Sequence, residues 1–415
     1  MKVNAVKFYS IVFGIVLLTQ LYFTFKYTIF IQLFVLSLFF TLEKPKTSLR
    51  FIKTIVPIIY LFIIGFVGII LYNYPLYNIN KDVLHFIKPI LGVILGYVFY
   101  RKINNIKLFT KTVIISGFIS SIIHFLLILS IQRINNVSDI RLYGTDSFIE
   151  LMAVLFLLFY KKFKDENIFS NKLYHYIILI PILFSSILYF SRTMIVMTVI
   201  AVLTIYGFTI ITRQTIKIIV ALIIFTIGFY IFLFSMNIHR NNGGVESFLY
   251  KIKNAPAEVF KSKVDRENHA DLWDHWRGYE ASRAFALLDE KPITYVFGCG
   301  YGSLVNLKLY APLSKNDEKG MKYISELHNG YIYILYKTGI FGLFFYLFFL
   351  ISLYYKIYIN RNFVSVFISL IGLSYIVTTL VTVGINNSND ALMLVLGALL
   401  YFDEKDKLKK LSTND

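Results

Sequence analysis

Charge is scarce in this sequence. Asp, Glu, Lys and Arg make up 16% of its 415 residues, against about a quarter in soluble globular chains. With 57% hydrophobic residues and a mean hydropathy of +0.65, that shortage argues against a water-soluble domain. Cysteine occurs once, at Cys299, which excludes an intramolecular disulfide and a cysteine-based metal site. Proline- and serine-rich linkers are missing, as is any repeat of fixed period. No cleavable signal peptide is expected, because Phe8 to Phe25 lacks a small-residue cleavage site and runs straight into another apolar block.

Solid apolar blocks fill the chain instead. Each is about as long as the bilayer core is thick, roughly 20 residues. They predict an all-α polytopic membrane protein of twelve spans, at about 8–25, 27–42, 51–72, 84–100, 109–131, 145–160, 173–190, 193–212, 216–236, 330–355, 363–383 and 385–402. Lys and Arg divide 22 to 6 between the cytoplasmic segments and the short external loops of this arrangement, the six being Lys26, Lys81, Lys88, Arg133, Arg141 and Arg192. The positive-inside rule makes the richer side cytoplasmic and puts both termini there. The net charge of +18 is then largely topological. Spread over many segments, it gives no footprint for nucleic acid.

One connection is far longer than the others. Residues 237–328 are mostly polar and fall on the external side, and loops beyond about 15 residues are usually functional or disordered. This one reads as a folded cap. "HADLWDHWRGYEASRAFALLDE" carries apolar residues at helical spacing, and "ITYVFGCGYGSLV" reads as a β-rich run followed by three glycines. The expected organisation is nine spans in 1–236, the external loop in 237–328, three spans in 329–402 and a cytoplasmic tail in 403–415.

The notable polar residues gather on the external side. Arg192, in "YFSRTMIV", sits in a turn so short that its guanidinium must lie at the membrane boundary, either snorkelling or binding an anion. In the loop, Arg277 and Glu280 are three apart on one helical face, which suits an intrahelical pair. Arg277 and Arg283 also suit phosphate or pyrophosphate, whose oxygens match a guanidinium fork. His269, Asp271, Asp274 and His275 match no common zinc spacing, and no metal or cofactor is expected. The glycines of "FGCGYGS" suit a tight turn at positive φ better than a phosphate cradle. Asp146, Glu150 and Asp390 are helix-start charges or partners for an arginine.

His328 stands where the soluble loop meets a span, followed by Asn329. A histidine's ordinary pKa of about 6.5 lets it accept a hydroxyl proton near neutrality, and the plain alternative is a helix cap. Lys337, nine residues on, suggests that the first turn of this span is interfacial.

"HNGYIYILYKTGIFG" fits H-[NS]-x9-G-x-x-G through His328, Asn329, Gly339 and Gly342. In this it resembles the O-antigen polymerase and O-antigen ligase superfamily of bacterial envelope polysaccharide assembly. "SRT" before a span, "WRGYE" in the large loop and "FGCGYGS" ahead of the histidine are similar to the same family, and "IRLYGTDSF" around Arg141 more weakly so. The resemblance covers the topology throughout and residue motifs mainly over 190–345. It departs from some polymerases in showing no R-x10-G spacing from Arg277 or Arg283, which leaves open which loop arginine meets the pyrophosphate.

The resemblance implies a GT-C-like, metal-independent, inverting membrane glycosyltransferase of the bacterial cytoplasmic (inner) membrane. Its substrate would be an undecaprenyl-diphosphate-linked oligosaccharide at the external face, with a chain-length regulator and a flippase as protein partners. On that reading His328 and Arg277 are catalytic, and Arg192, Arg141, Glu280, Asn329, Arg283 and Asp390 bind substrate. A polymerase of O-antigen or capsule is expected first and a ligase to lipid A core or protein second. A flippase or other transporter is the rival from another class. It would not need a long loop ending in His-Asn, and the related halves common in transporters are not evident.

Overall fold

The computed structural model describes residues 5–45, 47–131, 147–189, 191–239, 245–260, 264–265, 268–312 and 320–412. Several of its helices begin where the sequence offers an acceptor to N–H groups that have no partner within the helix. Ser48, Asn105, Ser147, Asn171 and Ser191 each accept a hydrogen bond from a backbone amide two or three residues on. The first helices are α1 (Ala5–Tyr22), α2 (Phe25–Glu43), α3 (Leu49–Ile64), α4 (Val67–Leu71) and α5 (Leu76–Ile103). Next come α6 (Ile106–Leu129), α7 (Phe148–Lys164), α8 (Lys172–Leu188), α9 (Arg192–Ile205) and α10 (Arg213–Ser235).

The long connection folds as α11 (Val245–Phe260), α12 (His269–Asp274), α13 (Trp276–Asp289) and α14 (Thr294–Phe297), then strands β1 (Val305–Ala311) and β2 (Met321–Ile324). The chain ends with α15 (Gly330–Tyr354), α16 (Lys356–Ile359), α17 (Phe363–Thr378), a 3-10 turn at Gly384–Asn386 and α18 (Leu392–Ser412). The β-rich run expected from Ile293 onward is one helical turn, and the strand starts only at Val305. β1 finds its antiparallel partner in β2, Val305 opposite Ile324, so the ladder takes up the downstream residues.

Each expected span overlaps a helix, but residues 206–212 and 379–391, inside the eighth, eleventh and twelfth expected spans, are not α-helical. Among the described residues, seven helices or continuous helix pairs are long and apolar enough to cross a membrane: α1, α2, α3–α4, α5, α6, α10 and α15–α16. α8, α9 and α17 are apolar but shorter. The architecture is that of an all-α polytopic membrane protein with a small two-stranded element in its cap.

Burial separates the centre from the rim. α5 is the central helix, with 78% of its apolar window buried, whereas α10 has 6%. α10 presents Ile, Phe and Leu outward all round, which suits lipid rather than water. α5 packs most closely on α18, and glycine allows it. A Cβ on Gly96 would stand 2.0 Å from the Leu394 carbonyl oxygen, and one on Gly397 2.1 Å from that of Val93.

Candidate active site

His328 lies in the last link before α15, with half its side chain exposed. Asn329 caps that helix, its side-chain oxygen accepting from the N–H groups of Tyr331 (3.1 Å) and Ile332 (3.3 Å). The cap is therefore Asn329, which leaves the imidazole for other work. Beneath it is Glu280 of α13, 1% exposed. The His328 Nδ1 stands 3.1 Å from Glu280 Oε1 and 3.0 Å from Oε2, and the His328 backbone N–H donates to Oε2 at 3.0 Å. Trp276 Nε1–H donates to Oε1 at 2.6 Å. A carboxylate oxygen accepts, so it draws the ring proton to Nδ1 and leaves a lone pair on Nε2.

The arginines meet on a different carboxylate. Arg192, the first residue of α9, donates from Nη2 to Glu258 Oε2 at 3.0 Å and from Nη1 to the Lys251 carbonyl at 2.6 Å. Arg277 of α13 donates through Nη1 to Glu258 Oε1. Its Nε donates to the Val381 carbonyl at 3.2 Å. Glu258 of α11 thus bridges two guanidinia, one oxygen to each. A cavity of about 200 Å³ opens beside them, walled by Val196 and Met197 of α9 and by Val377, Leu380 and Val381 at the end of α17. The expected pairing of Arg277 with Glu280 gives way to Glu258 for the arginine and to His328 and Trp276 for the glutamate. Side chains three apart diverge when each has a partner on another element.

The two halves are tied together at the end of α17. Gly330 N–H donates to the carbonyls of Thr379 (2.8 Å) and Thr382 (3.0 Å), next to the Val381 carbonyl that holds Arg277. Arg277 and Glu280 share α13. His328 and the paired arginines are therefore fixed to one frame, although 136 positions separate Arg192 from His328 in the chain (328 − 192).

The glycines stabilise this frame from behind. α15 is broken at Gly339, whose φ of 66° and ψ of −169° leave helical space. The break frees the carbonyls of Tyr336 and Lys337, which accept from Cys299 N–H (2.7 Å) and Gly300 N–H (3.0 Å). Gly298 and Gly300 run at φ of 78° and 81°, as the expected turn required. "FGCGYGS" is thus a patch over a helix break. Lys337 is not interfacial as expected. It is fully buried, and its Nζ donates to Asp82 and to the Ser303 carbonyl, each at 2.5 Å. Gly302 N–H donates at 2.7 Å to the same Asp82 oxygen, Oδ2, while the buried Oδ1 has no hydrogen-bond partner among the described residues.

Other expected residues lie elsewhere. Arg283 turns to the sheet, its Nε donating to the Asn306 carbonyl at 3.0 Å. Asp390 is buried, accepting from the Tyr375 hydroxyl and from Leu392 N–H at the start of α18. No described contact joins it to an arginine. Arg141 and Asp146 lie outside the described residues. Glu150 is fully buried among hydroxyls, accepting from Ser120 (2.6 Å), Ser185 (2.7 Å) and Tyr189 (2.9 Å). Asp271 pairs with His275 one turn away at 3.0 Å, and Asp274 accepts from Tyr250 at 3.0 Å. Glu258 went unnoticed in the sequence, and its one signal is an acidic residue on an amphipathic loop helix.

No curated protein matches the chain. Residues 177–347 match a family model described as O-Antigen ligase, a stretch that takes in Arg192, Glu258, Arg277, Glu280 and His328. This match supports the resemblance, read from the motifs, to an O-antigen ligase/polymerase-like superfamily.

Proposed function

We propose that the chain is a polymerase that moves a growing glycan from undecaprenyl diphosphate onto the terminal sugar of a fresh lipid-linked repeat unit. The observation that carries the reading is the orientation of His328 by the buried Glu280, in one frame with two arginines. Nε2 of His328 takes the proton from the acceptor hydroxyl. The oxygen attacks the anomeric carbon on the face opposite the diphosphate. The old C–O bond breaks and its electron pair leaves with the diphosphate, whose added charge Arg192 and Arg277 offset. The new bond has inverted configuration, and the proton rests on an imidazolium facing Glu280. No step calls for a metal.

The cavity between α9 and α17, with its mostly apolar wall, suits the first isoprene units of the carrier beside the arginines. Transfer to a lipid A core or a protein, the ligase reaction, uses the same groups, and the description of the matched family favours it as the second reading.

His328→Ala tests the chemistry in cells. A general base is worth roughly 10²–10⁴ in rate, so single repeat units should replace the polysaccharide ladder while the protein stays at wild-type abundance in the membrane. A full-length ladder made by normally abundant variant protein would refute the assignment.

A further inference from the structure

A second cavity, of about 440 Å³, lies at the same end of the bundle as His328 and takes no part in the chemistry above. Tyr22 at the end of α1, Phe25 at the start of α2, His124 of α6, Tyr189 just after α8 and Ser388 and Asn389 after the 3-10 turn line it. Its size falls within the range of small-molecule sites, about 300–1,000 Å³.

Its wall is built from hydroxyls and rings. Tyr22 donates to the Ser120 carbonyl at 2.8 Å, and Ser120 and Tyr189 donate to the buried Glu150 behind. His124 is 1% exposed and lies flat on Tyr189, ring centroids 4.1 Å apart at 4°. Its Nδ1 is 2.8 Å from the Ser185 hydroxyl, while its buried Nε2 has no hydrogen-bond partner. A buried polar atom left without a partner is costly and rare, and here it borders an opening. Glu150 already takes three hydroxyl hydrogens, which leaves it poorly placed to hold a cation. The described lining carries no Lys or Arg to hold a phosphate. Neutral donors and acceptors between aromatic faces suit a hydroxylated ring.

A chain of contacts runs from the cavity towards His328. Phe25 stacks on His85 with centroids 3.8 Å apart, and His85 Nε2 lies 3.2 Å from Glu326 Oε1, two residues before His328.

We propose that this cavity is a glycan subsite, which holds a neutral sugar of the lipid-linked substrate at a distance from the bond being made. The proposal rests on the transferase reading and adds where the glycan, rather than its carrier, is recognised.

The test compares two probes on the full chain in lipid nanodiscs: bare undecaprenyl diphosphate, and the lipid-linked repeat unit extracted from cells lacking this protein. The wild type should prefer the glycosylated lipid by on the order of tenfold, as two ordinary hydrogen bonds provide. Tyr22→Phe with Asn389→Ala, and separately His124→Phe, should lose that preference and keep the affinity for the bare lipid, which also shows that they fold. Equal binding of both probes by the wild type would overturn the subsite, as would variants that keep the preference or that lose the bare lipid as well. Arg192→Ala separates the two ideas, because bare-lipid binding that survives it counts against the transferase site and not against the cavity.

Discussion

Glu280 is the residue on which the rest of the candidate site depends. It accepts from Trp276 Nε1, His328 N and His328 Nδ1 while almost wholly buried. Glu280→Gln replaces one of its two acceptor oxygens with an NH₂ group, so at least one of these donors faces another donor. The cost of such a clash is about 1–3 kcal/mol in stability. The ring also loses its hold on the Nδ1 proton, and kcat should fall by about 10² or more, the scale of a general base. Purified variant in a transfer assay, with thermal denaturation in detergent beside it, reads both effects. Unchanged kcat would show that Glu280 only supports the fold.

Glu258 makes the opposite prediction. Its two oxygens stand where diphosphate oxygens would sit between Arg192 and Arg277, so the lipid has to displace it. Glu258→Gln weakens this internal competitor and should tighten undecaprenyl diphosphate binding several-fold. Arg192→Lys should weaken it far more than retention of charge suggests, because an ammonium cannot grip two oxygens as a planar fork does. Titration of each variant with the labelled lipid checks the two signs together.

Among the elements, α15 is the least expected. A lipid-facing helix could not tolerate its break at Gly339, since the freed carbonyls would have no partner in hydrocarbon. The glycine loop supplies the partners, and the two backbones then touch. A Cβ on Gly339 would stand 2.2 Å from the Val296 carbonyl oxygen, and one on Gly298 2.3 Å from the Lys337 carbonyl carbon, both at positive φ. Gly339→Ala and Gly298→Ala should each lower the melting temperature sharply or prevent accumulation. Gly228→Ala, with nothing within 4 Å, is the control. It should be neutral or slightly stabilising, by about 0.5–1 kcal/mol at most. Fluorescence-detected gel filtration after heating distinguishes them.

For the molecule as a whole, the 22-to-6 charge division predicts the orientation. Tyr310→Cys, on the exposed strand of the long connection, should react with an impermeant maleimide in outer-permeabilised cells, and Lys162→Cys, in the last turn of α7, should not. Cys299 is buried, and burial pushes its thiol pKa up, so little thiolate is available and its own labelling should be slow. Cys299→Ser removes it altogether. Labelling at position 162 in sealed cells would invert the topology.

The predominance of apolar helices and the existence of a long polar connection follow from the sequence alone. Length and apolarity are local properties, and lipid leaves a polar backbone few alternatives to the helix. The positive φ at "FGCGYGS" was legible for the same reason, because glycine content speaks for its own turn. Partnership was not. Glu280 and His328 are 48 apart, Arg192 and Glu258 66, and Asp82 and Lys337 255. Arg277, three residues from Glu280 and on its helical face, pairs instead with a carboxylate from another helix. Lys337, which looked interfacial, is buried. Ion pairing depends on distance through space and on what burial removes from water. Only the packing of α9, α11, α13 and α15 around the end of α17 decided which charges meet.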